Sequence, residues 1–379
     1  MRRPLVVADP SIPWVREGFL DLPVTLRLHP SDTLVNRPDL LEDADGIVVP
    51  SSCPVDDHLL QQARRLKAIA SPVVGREHVD REAVARLEAR LGHPVPVFFA
   101  PGSTAGGVGD YVAAAILDAF PAPWAGAPPR VGIWGFGRCG QALAARLDRL
   151  GIPWVAFDPP REARSHHRFR SATMEDLRRC QVLSLHVPAT RPPCPWPTRG
   201  LIDVRILGRL ADSEVRLLVN TSRGEVLDPR AIDAHLDRGG PPDLVLDVFV
   251  GEPSPPVPWV TSSRLATPHV AGSVMEGRWR ALLQVRRSLA RRLGVRLPPD
   301  LPTPPGGYPS PLPMAIPPGT PPAEAARRIR EVLPLDRWSR EFRQAYREAP
   351  PEERPAVFRA HRNSGLRREI RWVPGPSEH

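Results

Sequence analysis

The sequence predicts an α/β protein built on doubly wound parallel sheets. Short, continuous apolar runs alternate with helical patterns from the amino terminus to about residue 293, and a glycine-rich turn near residue 135 joins one such run to an amphipathic helix. A strand that is apolar on both faces belongs in a sheet covered on both sides, and parallel sheets are covered that way. Strand and helix in strict alternation make right-handed crossovers the economical connection.

Taken in order, Leu5 to Ala8 and Gly46 to Val49 read as strands, with helical candidates at Val55 to Arg65 and Arg81 to Leu91. This patterning runs to about residue 98. From Arg130 it sharpens. Val131 to Trp134 is a strand, Gln141 to Leu150 a helix with Ala and Leu on one face, and Trp154 to Phe157 a second strand. Further strands are expected at Val182 to His186, Leu217 to Asn220, Leu244 to Val248 and Leu265 to Thr267, followed by one long arginine-studded helix over Met275 to Leu293. Residues 298–322 are too rich in proline for helix or central strand and are expected to be an extended connector. The remainder, 323–379, has helical periodicity and a set of apolar residues (Ile329, Leu333, Trp338, Phe342, Tyr346, Phe358, Leu366, Ile370, Trp372) suited to a small packed module. Alone it is too short and too charged for a comfortable core, so docking on another subunit is expected.

At 379 residues the chain has room for two or three compact units, and its hydrophobic fraction of 41% is ample for real cores. No apolar stretch is long enough to span a membrane, and the start MRRPLVVADP reads as a first strand rather than a secretory signal. A cytoplasmic location is the expectation. The net charge of +9 raises the question of nucleic acid. Only Lys67 is lysine, however, and the arginines are spread along the chain among acids, without a basic block or a stacking motif. No nucleic-acid partner is expected. Cys53, Cys139, Cys180 and Cys194 stand far apart, with no metal-ligand spacing, so neither disulfide framework nor metal is expected.

Gly135-Phe136-Gly137-Arg138-Cys139-Gly140 follows one strand directly and opens a helix. Gly135 would permit the tight turn, Gly137 would let the backbone approach a pyrophosphate, and Gly140 would let helix and strand pack closely. The free N–H groups around Arg138 and Cys139 would face phosphates with the positive end of the helix dipole. Asp158 ends the next strand 18 residues after Gly140. Its carboxylate would accept from the adenosine ribose hydroxyls and repel a 2′-phosphate, which favours NAD over NADP.

Three further segments each lie just beyond a predicted strand: Asn220 to Gly224, Asp247 to Pro253, and Thr267 to Gly272. Open α/β sheets place their ligands there. Oxidising a 2-hydroxy acid needs a cation to hold the carboxylate and polarise the C2 oxygen, and the guanidinium fork of Arg223 suits that task. It also needs a base for the hydroxyl proton, a role that fits His269, with Glu252 behind the imidazole to fix its tautomer. Any one of these residues has an ordinary structural explanation. Their conjunction downstream of a dinucleotide fold is hard to dismiss.

These motifs, as they stand in GIWGFGRCG, LSLHVPAT, LLVNTSRGEVLD, LDVFVGEP and ATPHVAGSVMEGR, resemble the D-isomer-specific 2-hydroxy acid dehydrogenases over about residues 40 to 294. Within that family FDPPREAR, APGSTAGGVGDYV and the tail FRAHRNSGLRREI resemble the branch acting on 4-phospho-D-erythronate in vitamin B6 (pyridoxal phosphate) biosynthesis. The resemblance implies a Rossmann-type NAD-binding domain over 99–274, inserted into a flavodoxin-like substrate domain over 1–98 and 275–297, with the active site in the cleft between them. It also implies a carboxyl-terminal module that forms a homodimer. Carried over position by position, His269 is the proton acceptor, with Arg223 and Glu252 beside it. Asp158, Val187, Thr221, Ser222, Arg223, Asp247 and Gly272 line NAD, and Ser51, Val73 and Ser273 face the substrate. The departures gather on the substrate side, where Pro50, Val73, Thr104 and Ser273 replace the branch's Arg, Thr, Asn and Tyr. Phosphoglycerate, glycerate or lactate are therefore alternative substrates, and an NAD-binding regulatory protein of the same fold is the alternative of another class.

Overall fold

The computed structural model describes residues 2–124, 126–164, 168–299, 303–308, 314–364 and 367–373. The chain divides into two compact units, Met1–Thr104 with Met275–Ser310, and Ala105–Val274 with Pro311–His379.

The first unit carries five strands, β1 (Leu5–Ala8), β2 (Thr25–Leu28), β3 (Gly46–Val48), β4 (Ala68–Ala70) and β5 (Val97–Phe98). They form one sheet in the order β2-β1-β3-β4-β5, every pair parallel. This is the flavodoxin-like order, and it accounts for the apolar runs: Val7, Ile47 and Ile69 face one cluster with Leu59, Val84 and Leu87, while Val6, Ala8 and Val48 face another with Trp279, Leu282 and Leu289. The helix Met275–Arg292 thus closes one face of the sheet. Helix Arg81–Leu91 begins at Asp80, whose carboxylate accepts from Glu82 N and Ala83 N, and stops at Gly92 in the left-handed region. The expected helix over Val55 to Arg65 is only one turn, Asp57–Leu60, because Asp56 caps it late and the chain must turn into β4 soon afterwards.

The second unit contains β6 (Val131–Trp134), β7 (Trp154–Phe157), β8 (Val182–Leu185), β9 (Leu217–Asn220), β10 (Asp243–Leu246) and β11 (Leu265–Ala266). The order is β11-β10-β9-β8-β6-β7, again wholly parallel. The winding direction reverses at β6, between β7 on one side and β8 on the other, and a doubly wound sheet takes its ligand at such a switch point. Alternate residues serve opposite faces: Val131, Ile133, Val182 and Val219 pack with one cluster, Leu183, Leu185, Leu218 and Leu246 with the other. Periodicity did not reveal the helix Ala105–Ala119, which is apolar nearly all round and almost wholly buried, so it has no polar face to mark it.

The tail finds its apolar partner within its own chain. Helices Pro322–Val332, Leu335–Glu348 and Arg354–Asn363 place Ile329 and Leu333 in one core of the second unit, and Phe342, Tyr346 and Phe358 in the other. Tyr346 donates its hydroxyl to Pro255 O at 2.8 Å, and Ser339 Oγ accepts from Ala266 N at 3.0 Å. The tail is thus no compact unit of its own, because these anchors merge it with the nucleotide sheet. Its last strand, β13 (Arg371–Trp372), pairs in parallel with β12 (Ala315–Ile316) inside the expected connector. The buried Asp110 receives Arg146 Nε at 2.8 Å and both Ile370 N and Trp372 Nε1 at 2.9 Å, fastening that strand to the preceding helices. Leu366 lies outside the described residues.

Candidate active site

The glycine turn is built by steric necessity. Gly135 has φ +96, and a Cβ there would stand 2.5 Å from His186 O and 2.9 Å from the Val187 side chain. A Cβ on Gly140 would stand 2.3 Å from Gly135 O, so strand and helix approach more closely than any side chain permits. Around Gly137 nothing lies within 4 Å of the Cβ position, which leaves the backbone open to a ligand. Helix Arg138–Leu150 starts three residues earlier than expected, with Gly137 as its cap and no side chain taking up its first N–H groups. Gly140→Ala is expected to weaken NADH affinity at least tenfold by pushing the helix off the turn, measurable by fluorescence titration. Asp158, at the end of β7, accepts from Phe136 N at 2.8 Å and from Arg161 N at 2.9 Å, so it braces the glycine turn. Arg161 donates to Phe136 O at 2.7 Å and lies over the Phe136 and Phe169 rings.

The turn after β9 is organised by Asn220, a fully buried residue to which sequence reasoning gave no role. Its Nδ2 donates to Arg223 O at 2.9 Å, while its Oδ1 accepts from Ser222 N at 3.1 Å and Ser222 Oγ at 2.8 Å. This folds Thr221, Ser222 and Arg223 into a tight bend. At Gly224 a Cβ would fall 2.0 Å from the carbonyl carbon of Phe249, so the Arg223 bend lies directly against the next loop. The charge of Arg223 also reaches Cys139, whose thiol is pushed up by burial and drawn partly back by that guanidinium.

Phe249 carries the chain of contacts onward. Its N–H donates to Glu252 Oε1 at 2.8 Å, and the other oxygen, Oε2, meets His269 Nδ1 at 2.8 Å. Glu252 is therefore held by backbone on one side and holds the imidazole on the other. A carboxylate at Nδ1 fixes that nitrogen as the donor and leaves Nε2 to exchange a proton. His269 has φ +58, unusual for a residue with a Cβ. That backbone is locked because His269 N donates to Asp247 O, and Asp247 accepts from Thr267 Oγ1 at 2.7 Å, Val270 N at 2.7 Å and Ala271 N at 2.9 Å. Burial pushes the Asp247 carboxyl up, opposed by His269 and by these donors. Tyr111, from the helix that the sequence pattern hid, completes the cluster with its hydroxyl 2.6 Å from Thr267 Oγ1.

Of the expected site residues, the structure joins Glu252, His269 and Asp247 by hydrogen bonds, sets the bend that carries Arg223 against Phe249 through Gly224, and sets Asp158, Val187 and Cys139 around the glycine turn. Gly272 and Ser273 close the His269 loop, Ser273 N donating to Val270 O at 2.8 Å. Ser51 and Val73 belong to the first unit, where each follows a strand of the other sheet.

A family model described as D-isomer specific 2-hydroxyacid dehydrogenase, NAD binding domain, matches residues 126–271. The erythronate-4-phosphate dehydrogenase of Idiomarina loihiensis is 34% identical over 67% of this chain and 65% of its own length, just under two thirds. That of Salinibacter ruber is 35% identical over 76% of this chain and 72% of its own length. The chain belongs to the D-isomer-specific 2-hydroxyacid dehydrogenases, in their erythronate-4-phosphate dehydrogenase branch.

The fold of this dehydrogenase is also that of a D-lactate dehydrogenase from Treponema pallidum, at a TM-score of 0.60 and 21% identity, covering 76% of this chain and 97% of that one. NAD is the cofactor of the matched domain, and the residues present fit it. The backbone at Gly137 is open, the helix start is uncapped by side chains, and Thr221 Oγ1 is buried with no hydrogen-bond partner among the described residues. No group of His, Cys, Asp and Glu among the described residues is arranged to hold a metal ion, and no helix among them is long and apolar enough to cross a membrane.

His186, next to the glycine turn, shares its Nε2 with Ser184 Oγ at 2.9 Å, while its Nδ1 is shut away from solvent. Burial pushes its pKa down to about 4. Between pH 6.5 and 4 the unfolded chain therefore takes up a proton that the folded one refuses, so this residue costs stability as pH falls through that window. At about 1.4 kcal/mol per pH unit, wild type is expected to lose about 2 kcal/mol more than His186→Gln between pH 6.5 and 4.5, as read by urea denaturation.

Proposed function

We propose that this dehydrogenase oxidises 4-phospho-D-erythronate to 2-oxo-3-hydroxy-4-phosphobutanoate, a step of pyridoxal phosphate biosynthesis. The observation that carries the chemistry is the Glu252–His269 pair at 2.8 Å, joined through Phe249 to the Arg223 bend. The relatives that bear this activity's name favour the substrate. In this reading the Arg223 fork holds the C1 carboxylate and polarises the C2 oxygen. His269 Nε2 takes the C2 hydroxyl proton, and Glu252 keeps Nδ1–H directed at itself and balances the imidazolium that forms. When bound, NAD⁺ supplies the acceptor for the hydride leaving C2. Thr221, Ser222, Arg138 and Gly272, with Asp158 beside the glycine turn, are the proposed cofactor contacts. Ser51, Val73 and Ser273 are the proposed substrate-side residues. We also propose a cytoplasmic homodimer.

A second substrate reading is favoured by Pro50, Val73, Thr104 and Ser273, which remove an arginine, a threonine hydroxyl and an amide from the branch's pattern and shorten a tyrosine to a serine. A site built to hydrogen-bond a hydroxyl discriminates strongly, and one without those donors discriminates less. NADH production from 4-phospho-D-erythronate, 3-phosphoglycerate, glycerate and lactate separates the two. The four-carbon phosphate is expected to give the highest kcat/KM; brisk turnover of another acid with none of that one would transfer the assignment.

A further inference from the structure

Behind the His269 loop, within the second unit, lies a cavity of about 500 Å³, a volume typical of small-molecule sites. One wall is Pro268 and Val270, the two neighbours of His269, while His269 itself faces Glu252 and does not line the cavity. The opposite wall comes from the tail. There the guanidinium of Arg367 lies 5.4 Å from the centre of the Trp338 ring, fixed by donation to Arg362 O and His361 O at 3.0 Å each. Arg368, only 3% exposed, lines the same space. Arg337 adds a third guanidinium at the rim, 3.9 Å from Glu341, and Glu331 is the other acid there.

We propose that this cavity binds a small aromatic anion, a phosphate or carboxylate on a flat apolar body, and that occupancy there controls the catalytic histidine. Three guanidiniums against two carboxylates give the wall a cationic excess, and guanidinium forks match oxyanions. Trp338 and Val270 supply the apolar surface for a ring. The lever is short. Val270 N is clamped by Asp247 on one side and its side chain lines the cavity on the other, so a ligand pressing on Pro268 and Val270 moves the backbone that holds His269 at positive φ. Displacements of about 1 Å at a catalytic group change rates by up to about 10²-fold.

Phenyl phosphate is the probe, titrated by calorimetry into the full-length protein saturated with NADH. One molecule is expected per chain, and 4-phospho-D-erythronate should not displace it. In the oxidation assay it should change kcat at least twofold at saturating NAD⁺ and hydroxy acid. Arg368→Met should weaken binding at least tenfold. Val332→Trp, which fills the cavity from a half-buried position, should weaken binding likewise and leave kcat insensitive to added phenyl phosphate. Absence of binding, displacement by the hydroxy acid, or unchanged affinity in the Val332 variant would overturn the site. The kinetic half rests on the proposed activity, whereas the calorimetric half does not, so failure of the substrate assignment leaves the binding test intact.

Discussion

Replacing His269 with Asn is expected to lower kcat by about 10²- to 10⁴-fold, the range for removing a positioned general acid or base, while NADH affinity stays within twofold. Asparagine is a suitable probe because it tolerates the left-handed backbone that His269 adopts at φ +58, so the loop geometry survives the change. The imidazole meets Glu252, whereas the NAD fit rests on the backbone at Gly137, the helix start and Thr221. Stopped-flow turnover and fluorescence titration of NADH on the same preparation separate the two effects. Glu252→Gln should lie between the variant and wild type. Its amide oxygen can still accept from Phe249 N, but an amide N–H aimed at Nδ1 forces the wrong tautomer on the histidine. Turnover within threefold of wild type in His269→Asn would remove the residue from the reaction.

Much of this was legible in the chain itself, for a physical reason. Strands in a covered parallel sheet must be apolar throughout, so β1, β6, β7 and β9 appear with the bounds expected of them. A glycine whose Cβ position is occupied by backbone, as at Gly135 and Gly140, leaves an unambiguous trace. The helix at Ala105–Ala119 left none, because a helix surrounded by protein has no polar stripe. The supports of the His269 loop were hidden for another reason. Tyr111 and Thr267 meet across 156 residues of sequence, and Asn220 acts through a bend whose other members looked functional in their own right. The helical periodicity of the tail was visible, and three helices stand there. Which surface would cover it depends on three-dimensional complementarity that periodicity does not encode, and anchors such as Tyr346 to Pro255 become visible only in the fold.

The other large effect is expected at Asp247, which the family pattern places along NAD and the structure places beneath the His269 loop. Removing its side chain in Asp247→Ala strips three buried donors, Thr267 Oγ1, Val270 N and Ala271 N, of their acceptor. Each buried donor left unsatisfied costs about 1–3 kcal/mol, so a loss on the order of 4 kcal/mol in unfolding free energy is expected after partial relaxation. The catalytic consequence is separable from the thermal one. A residue held at positive φ persists only where its surroundings over-determine it, and here those surroundings are the hydrogen bonds that Asp247 receives. With them gone, the segment 267–271 should relax toward ordinary backbone geometry and carry His269 away from Glu252. Assayed well below its unfolding midpoint, Asp247→Ala should therefore lose about 10²-fold in kcat. Asp247→Asn, which keeps one acceptor oxygen but turns an N–H toward a donor, should fall between. If Asp247→Ala unfolded at a lower temperature yet turned over at the wild-type rate, the left-handed histidine would owe its geometry to Glu252 alone, and the carboxylate beneath it would be a packing element.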